Sequence, residues 1–356
     1  MSDIDVLTLP QALYFTTGAY VREQIFERSQ SILFVRIDPE DLTRNPKDLV
    51  AFTKSISSLN LVVVGVFGET HSRDFSGLLN GFDILITEGP DDGIAATVPD
   101  LNAAIVNLSL CVERNPHASI ALVQLLRQEA FTDIEKGFVL ESMTYAMLQG
   151  GPEHNEWIEE RGMLSQPISE RPVVCSHRDN SRLDISLNRP ERANAFSSTM
   201  RDELFEILQL AFLDESIESI SLRGKGKSFC SGGELTEFGS GASPPEAHLT
   251  RLSRNPGMSV HHLSERIVAY LHGTCAGAGI EIPAFASKVV VDESANIFLP
   301  EIAMGLIPGA GGTVSIPRRI GRQRSAYLAV TGNPISVETA LSWGLVDELL
   351  SAELWG

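Results

Sequence analysis

The chain of 356 residues reads as an α/β protein, on three observations. β-branched runs at 31–38 (SILFVRID) and 61–67 (LVVVGVF) enclose a helical pattern from Leu49 to Leu59, the alternation that builds sheet with covering helices. The same texture returns after residue 172, with a strand at Leu183–Leu187, a helix over Ser198–Phe212 and a strand at Ser219–Arg223. From 268 to 313 short apolar strands alternate with glycine turns, which predicts a spiral or layered α/β core.

Taken in order, Phe82–Thr87 adds a third strand to the first α/β unit. From Asp100 onward, apolar residues recur at three- and four-residue spacing (Ala104, Leu108, Val112, then Leu122, Leu125, then Phe138, Tyr145) and predict two or three amphipathic helices over 100–160. Pro116 and the Gly150-Gly151-Pro152 run punctuate them, and residues 163–172 read as a linker. In the second half, a polar turn at 224–234, a glycine-rich segment near 239–245 and a helix near 245–269 precede the glycine-turn strands. The expected division is an α/β subdomain at 1–98, a helical segment at 99–162, the linker at 163–172 and a catalytic core at 173–356.

Charge narrows the partners. The chain carries 28 basic and 46 acidic side chains, a net of −18, of which −13 falls in residues 1–165 and −5 in the rest. Such an excess of acid leaves no surplus of cations to neutralise phosphates, which argues against nucleic acid as the main partner and favours small ligands or proteins. Leu59–Gly68 is about half the length a membrane helix needs, and the apolar stretch at 267–286 is broken by His272 and Glu281, so no membrane span is expected. Four scattered cysteines without a CxxC, and an acidic N-terminus lacking the charge of a signal peptide, lead to the expectation of a reducing, cytoplasmic setting. No HxxxH or HExxH pattern occurs, so no metal site is expected. The glycines at 273–281 and 309–312 do not have GxGxxG spacing, and GxSxG is absent, which leaves NAD binding and serine hydrolysis unsupported.

Four segments carry chemistry: Leu187–Ala195 (LNRPERANA), Ser228–Leu235 (SFCSGGEL), Gly273–Glu281 (GTCAGAGIE), and Leu299-Pro300-Glu301 with Met304–Thr313 (MGLIPGAGGT). Gly232-Gly233 and Gly277-Ala278-Gly279 are small enough for the main chain to approach a ligand, and each precedes a helix start where N–H groups lack partners; both could aim donors at one anionic oxygen, or be plain turns. Glu281 precedes Ile282-Pro283-Ala284-Phe285-Ala286, which puts it in the first turn of an apolar helix, and Glu301 sits between Phe298 and Ile302. As structural residues these would be an acid on a helix dipole and a surface turn. As a functional pair, two carboxyls in apolar surroundings can divide acid and base work.

In this order and spacing, the four segments resemble the crotonase family, the enoyl-CoA hydratase and isomerase superfamily, over roughly 182–348. The resemblance implies a crotonase-like spiral, a ββα superhelix, with an N-terminal α/β plus helical subdomain before it. It implies an acyl-CoA thioester substrate, no prosthetic group apart from the coenzyme A of that substrate, and a homo-oligomer, a trimer or dimer of trimers. Gly233 and Ala278 match the family's oxyanion positions; Ala278 stands where glycine is commoner and Glu234 where aspartate is usual, and neither change removes an N–H. Glu301 corresponds to the acid that protonates the α-carbon and Glu281 to the residue that binds and activates water. Retention of both favours hydration or dehydration over double-bond isomerisation, with hydrolysis of an acyl-CoA and a non-catalytic acidic scaffold as further possibilities. Arg189, Ala195, Ser231, Gly232, Gly277, Phe298 and Gly309 fall at substrate-binding positions. The helices that follow the core in the family are expected not after it but at residues 99–162, which resemble them, while 31–87 resembles a degenerate copy of 183–235. On that reading, the stripe Ala104, Leu108, Leu122, Leu125 and Tyr145 should lie on the 170–356 core and shield the acyl site.

Overall fold

A computed structural model describes residues 4–43, 45–68, 76–91, 93–162, 164, 172–239 and 243–351. The expected linker at 163–172 lies outside these residues except at 164 and 172, as do 240–242 of the glycine-rich segment. The chain forms two compact units, Met1–Glu129 with Ile320–Thr331, and Ala130–Arg319 with Gly332–Gly356.

In the first unit the β-branched runs become strands of one parallel sheet. Its elements are β1 (Val6–Thr8), α1 (Leu9–Thr16), α2 (Val21–Glu27), β2 (Ile32–Arg36), α3 (Pro46–Ile56), β3 (Val62–Phe67), α4 (Ser76–Leu79), β4 (Ile84–Thr87), β5 (Ala96–Thr97), α5 (Leu101–Arg114) and α6 (Pro116–Arg127). The strand order is β1-β2-β3-β4-β5, parallel throughout. Every residue of β3 is buried, as a parallel strand covered on both faces requires. α5 lies against β2 and β4, and α6 against β3. This corrects the expected location of Ala104, Leu108, Leu122 and Leu125: their helices cover the first unit's own sheet, because apolar strands need covering helices and these are the next in sequence. Arg127 fastens α6 there, donating to both oxygens of buried Asp83 (2.8 and 2.6 Å) and to the carbonyls of Leu59 (2.7 Å) and Leu61 (2.6 Å). β1, α1 and α2 are too short to show in the periodicity; Thr8 caps α1 in a capping box with Gln11.

The second unit holds α7 (Ile134–Gln149), α8 (Pro152–Arg161), β6 (Val174–Asp179), β7 (Arg182–Leu187), α9 (Ser198–Leu213), β8 (Ser219–Gly224), α10 (Pro244–Ser253), α11 (Pro256–His262), β9 (Ile267–Leu271), β10 (Thr274–Ala276), α12 (Ala278–Glu281), β11 (Lys288–Val291), β12 (Asn296–Phe298), the start of α13 (Gly312–Thr331), α14 (Val337–Trp343) and β13 (Glu348–Leu349). The larger sheet runs β13-β11-β9-β8-β7-β6, parallel except for the β6–β7 hairpin. β10 pairs with β12 in a second, shorter layer, and single bridges at Phe196–Gly233 and Cys230–Cys275 join other turns of the chain in the same way. The coils of chain lay a strand in the large sheet and a shorter one beside it before a helix returns, which is the ββα spiral.

Three details differ from the periodicity. The strand expected at 183 is preceded by β6, through a turn in which Asn180 adopts a left-handed φ of 53°. The helix expected near 245–269 is α10, α11 and β9, because Pro256 begins a new helix that Asn255 caps by accepting from the Met258 N–H. The region 100–160 contains four helices. α13 itself breaks at Gly321 (φ 78°, ψ 160°), so that its two halves count with different units. No helix among the described residues is long and apolar enough to cross a membrane.

Candidate active site

Parallel pairing decides which amides of the glycine turns stay free. Phe196 donates its N–H to Gly232 O (2.7 Å) and accepts from the Glu234 N–H (3.0 Å), so the intervening Gly233 N–H has no bond among the described residues. Gly277, at φ 49°, donates to Phe298 O (3.1 Å), and Ala278 then opens α12, where a helix leaves its first N–H groups unbonded. Gly233 and Ala278 line the same cavity, of about 510 Å³. The Phe238 ring lies on Gly233: a Cβ there would come within 2.9 Å of it.

Two carboxyls close the same cavity. Glu281, at the end of α12 and 1% exposed, accepts at Oε2 from the N–H groups of Ala310 (2.7 Å) and Gly312 (2.9 Å). Glu301, in the turn after β12, approaches it across Gly277, where a Cβ would collide with Glu301 Oε1 and come within 3.6 Å of Glu281 Oε1. A left-handed glycine is what that gap requires. Oε2 of Glu301 is buried without a hydrogen-bond partner among the described residues. Burial pushes Glu301 up to about 7. It pushes Glu281 well above the carboxylate range, with the charges of Glu301 and Glu141 adding to the effect. The two carboxyls face the same point on Gly277, and acids so placed disfavour carrying both charges at once.

A third buried acid completes the frame. Glu141, on α7, accepts from Gly311 N (2.8 Å) at one oxygen and from Thr313 N (2.9 Å) and Thr313 Oγ1 (2.7 Å) at the other. The four successive N–H groups at the start of α13 therefore alternate, Ala310 and Gly312 to Glu281, Gly311 and Thr313 to Glu141. A helix N-terminus offers just such unbonded donors and favours negative charge. Burial still pushes Glu141 up to about 7, against these bonds and the Arg251 charge. One turn along α7, the Tyr145 ring lies on Gly309, and the Arg251 guanidinium stacks over that ring at 4.5 Å.

Of the residues singled out in the sequence, Gly233, Ala278, Glu281, Glu301 and Gly309 line the cavity. The other six lie outside its lining. Arg189 is buried and donates to Ala195 O (2.9 Å) and to Glu234 (3.0 Å), whose other oxygen takes Arg192 (3.0 Å). Ser231 donates its N–H to Ala193 O (3.0 Å), and Gly232, Gly277 and Phe298 make the backbone bonds that shape the two turns. Glu141 and Arg251 belong to none of the four motif segments, and Tyr145 stands out in the sequence only as a stripe residue. An acid inside the α7 stripe of Phe138, Ser142 and Tyr145 is nonetheless a legible sign of a bonded, buried carboxyl. Among the described residues, no cluster of His, Cys, Asp and Glu could hold a metal ion.

A family model described as enoyl-CoA hydratase/isomerase matches residues 177–354. A 1,2-epoxyphenylacetyl-CoA isomerase from Escherichia coli is 31% identical over 191 residues, 51% of this chain and 70% of that protein. A mevalonyl-coenzyme A hydratase from Beauveria bassiana is 29% identical over 193 residues, 52% of this chain and 69% of that protein. A solved enoyl-CoA hydratase from Thermoplasma volcanium aligns with a TM-score of 0.48 at 30% identity, covering 52% of this chain and 74% of that one.

Proposed function

This chain belongs to the enoyl-CoA hydratase/isomerase, or crotonase, family, and on that premise we propose that its cavity adds water to, or eliminates it from, an acyl-CoA thioester. The observation that carries the reading is the meeting of two buried, opposed carboxyls and two unbonded N–H groups on one cavity.

In this mechanism the thioester oxygen accepts from Gly233 and Ala278, whose amides need no reorganisation as the enolate forms; one such donor contributes about 2.7–4 kcal/mol to the transition state. Glu281 binds water and takes its proton while the oxygen adds to the β-carbon. The π electrons move into the enolate, and the returning pair takes the proton of Glu301 at the α-carbon. Glu301 is suited to hold that proton near neutral pH, since its Oε2 has no donor among the described residues to stabilise a charge. Each turnover leaves the proton on Glu281 and Glu301 without one, and the proton returns between the two acids through the cavity they share.

Glu281→Gln and Glu301→Gln should each lower hydration of crotonyl-CoA by about two orders of magnitude or more, with the fold retained by circular dichroism. Near-normal turnover in either variant would remove that residue from the mechanism. A Glu281→Gln enzyme that still shifts double bonds while losing hydration would turn the reading toward isomerisation.

A further inference from the structure

Among the described residues, one cation on the cavity wall bonds to no acid. Arg201 pairs with Asp202 (2.8 Å), and Arg254 reaches Asp202 (3.7 Å) and Glu206 (3.4 Å). The cavity acid Glu234 is taken by Arg189 and Arg192, and Glu237 by the Ser198 N–H (2.8 Å) and hydroxyl (3.0 Å). Arg251, by contrast, donates only to neutral atoms: Nε to Ser142 Oγ (3.1 Å), Nη2 to Ser142 O (3.2 Å) and Nη1 to Gln149 Oε1 (3.5 Å). A guanidinium has five N–H donors, so these bonds leave two. Glu141 is near enough to feel its charge but spends both oxygens on Gly311 and Thr313. A part-buried cation whose partners are neutral gains most from an anion brought to it.

Its position says which part of a substrate could bring that anion. Arg251 stacks on Tyr145, the Tyr145 ring rests on Gly309, and the neighbouring Ala310 N–H holds Glu281. The cation thus shares the cavity with the acid pair, from which the Tyr145 ring and the Gly309 turn separate it, and stands on α10, while Gly233 and Ala278, which would take the thioester oxygen, belong to the two glycine turns. We propose that Arg251 receives a carboxylate carried by the acyl group, so that the substrate is a short acyl-CoA with a second anionic end rather than a plain hydrocarbon chain. The proposal rests on the reading of the cavity as an acyl-CoA site.

The test compares two six-carbon trans-2-enoyl-CoA thioesters, one ending in a carboxylate and one in a methyl group. The expected kcat/KM ratio in favour of the carboxylate is at least about tenfold, since a site built to bond a polar group discriminates against the analogue lacking it. Arg251→Gln should bring that ratio close to one, and Arg251→Lys should keep part of it. A ratio near one in the unaltered enzyme, or one unmoved in a folded Arg251→Gln variant, overturns the proposal. So does an equal loss of affinity for both thioesters and for free coenzyme A, which would assign the cation to the nucleotide phosphates. If neither thioester is hydrated, the hydratase reading fails separately. Titration calorimetry with the saturated six-carbon pair then decides the present proposal: tighter binding of the carboxylate-ended thioester, abolished by Arg251→Gln, supports it, and equal binding sinks it.

Discussion

Glu281 and Glu301 are the same residue type in one cavity, and their surroundings separate them. Glu281 has two backbone donors on one oxygen, whereas Glu301 has an oxygen with none among the described residues. The native pKa of Glu301, about 7, is above the ordinary value of 4.5, so between those values the folded protein keeps a proton that the unfolded chain releases. Stability therefore falls as pH rises through that window, and is lowest above it. Glu301→Gln removes this contribution, and the variant should lose less stability than the parent between pH 5 and 8, by on the order of 1–3 kcal/mol, in denaturant titrations at stepped pH. Parallel pH curves for the two proteins would show that Glu301 does not carry a raised pKa. Gly277→Ala should be worse for catalysis than its size implies, because the new methyl occupies the space of Glu301 Oε1 at a left-handed φ.

At the scale of elements, the start of α13 is a shared anchor for carboxyls from two helices. Glu141 touches no atom of the proposed reaction; it positions the loop that holds Glu281. Glu141→Gln keeps one acceptor oxygen in place of two, so at least one of the bonds to Gly311 and Thr313 is lost, at about 1–3 kcal/mol. The readout beyond stability is the pH profile. Glu141's charge raises both Glu281 and Glu301, so its removal should move the controlling pKa of kcat downward. An unmoved profile would leave Glu141 a purely structural brace. In the first unit, Arg127 plays the corresponding part for α6, and Arg127→Met leaves the buried Asp83 carboxylate, 1% exposed, with only the Val63 N–H (2.9 Å) and a longer contact to Arg322 (3.9 Å) among the described residues. That change should cost about 1–3 kcal/mol, visible in the unfolding of the full chain.

Across the whole molecule, α13 ties the sequence of one unit into the other. Past Gly321, Arg324 pairs with Asp91 and donates to Ala95 O (3.0 Å), Arg322 donates to Asn80 O, and Leu328 and Val330 are buried. A 130–356 fragment would retain Glu141 and Tyr145 but lose residues 1–129, exposing these apolar side chains, and should elute as aggregate in size-exclusion chromatography. A soluble fragment with full turnover of crotonyl-CoA would mean that nothing in residues 1–129 is needed. Deleting residues 1–165 goes further, since it also removes α7 and with it Glu141 and Tyr145.

Gly233, Ala278, Glu281 and Glu301 are legible in the sequence because each belongs to a short motif that resembles the family's; small residues before helix starts and acids in apolar turns fit that role, though taken alone they fit plain turns and a helix-dipole acid as well. The strands β2, β3, β7 and β8 are legible locally, since alternating and β-branched runs report burial within a few residues. The α7 stripe marks Glu141 as a buried, bonded acid but not what it bonds, and Arg251 and the sheet that α5 and α6 cover leave no local sign, because their partners are distant in the chain. Glu141 meets Gly311 and Thr313 some 170 residues on, and Arg251 meets Tyr145 and Ser142 more than 100 residues back. An amphipathic stripe states that a helix must be covered, but many surfaces satisfy that demand equally, and the choice among them is made only when the folded chain brings one sheet within reach.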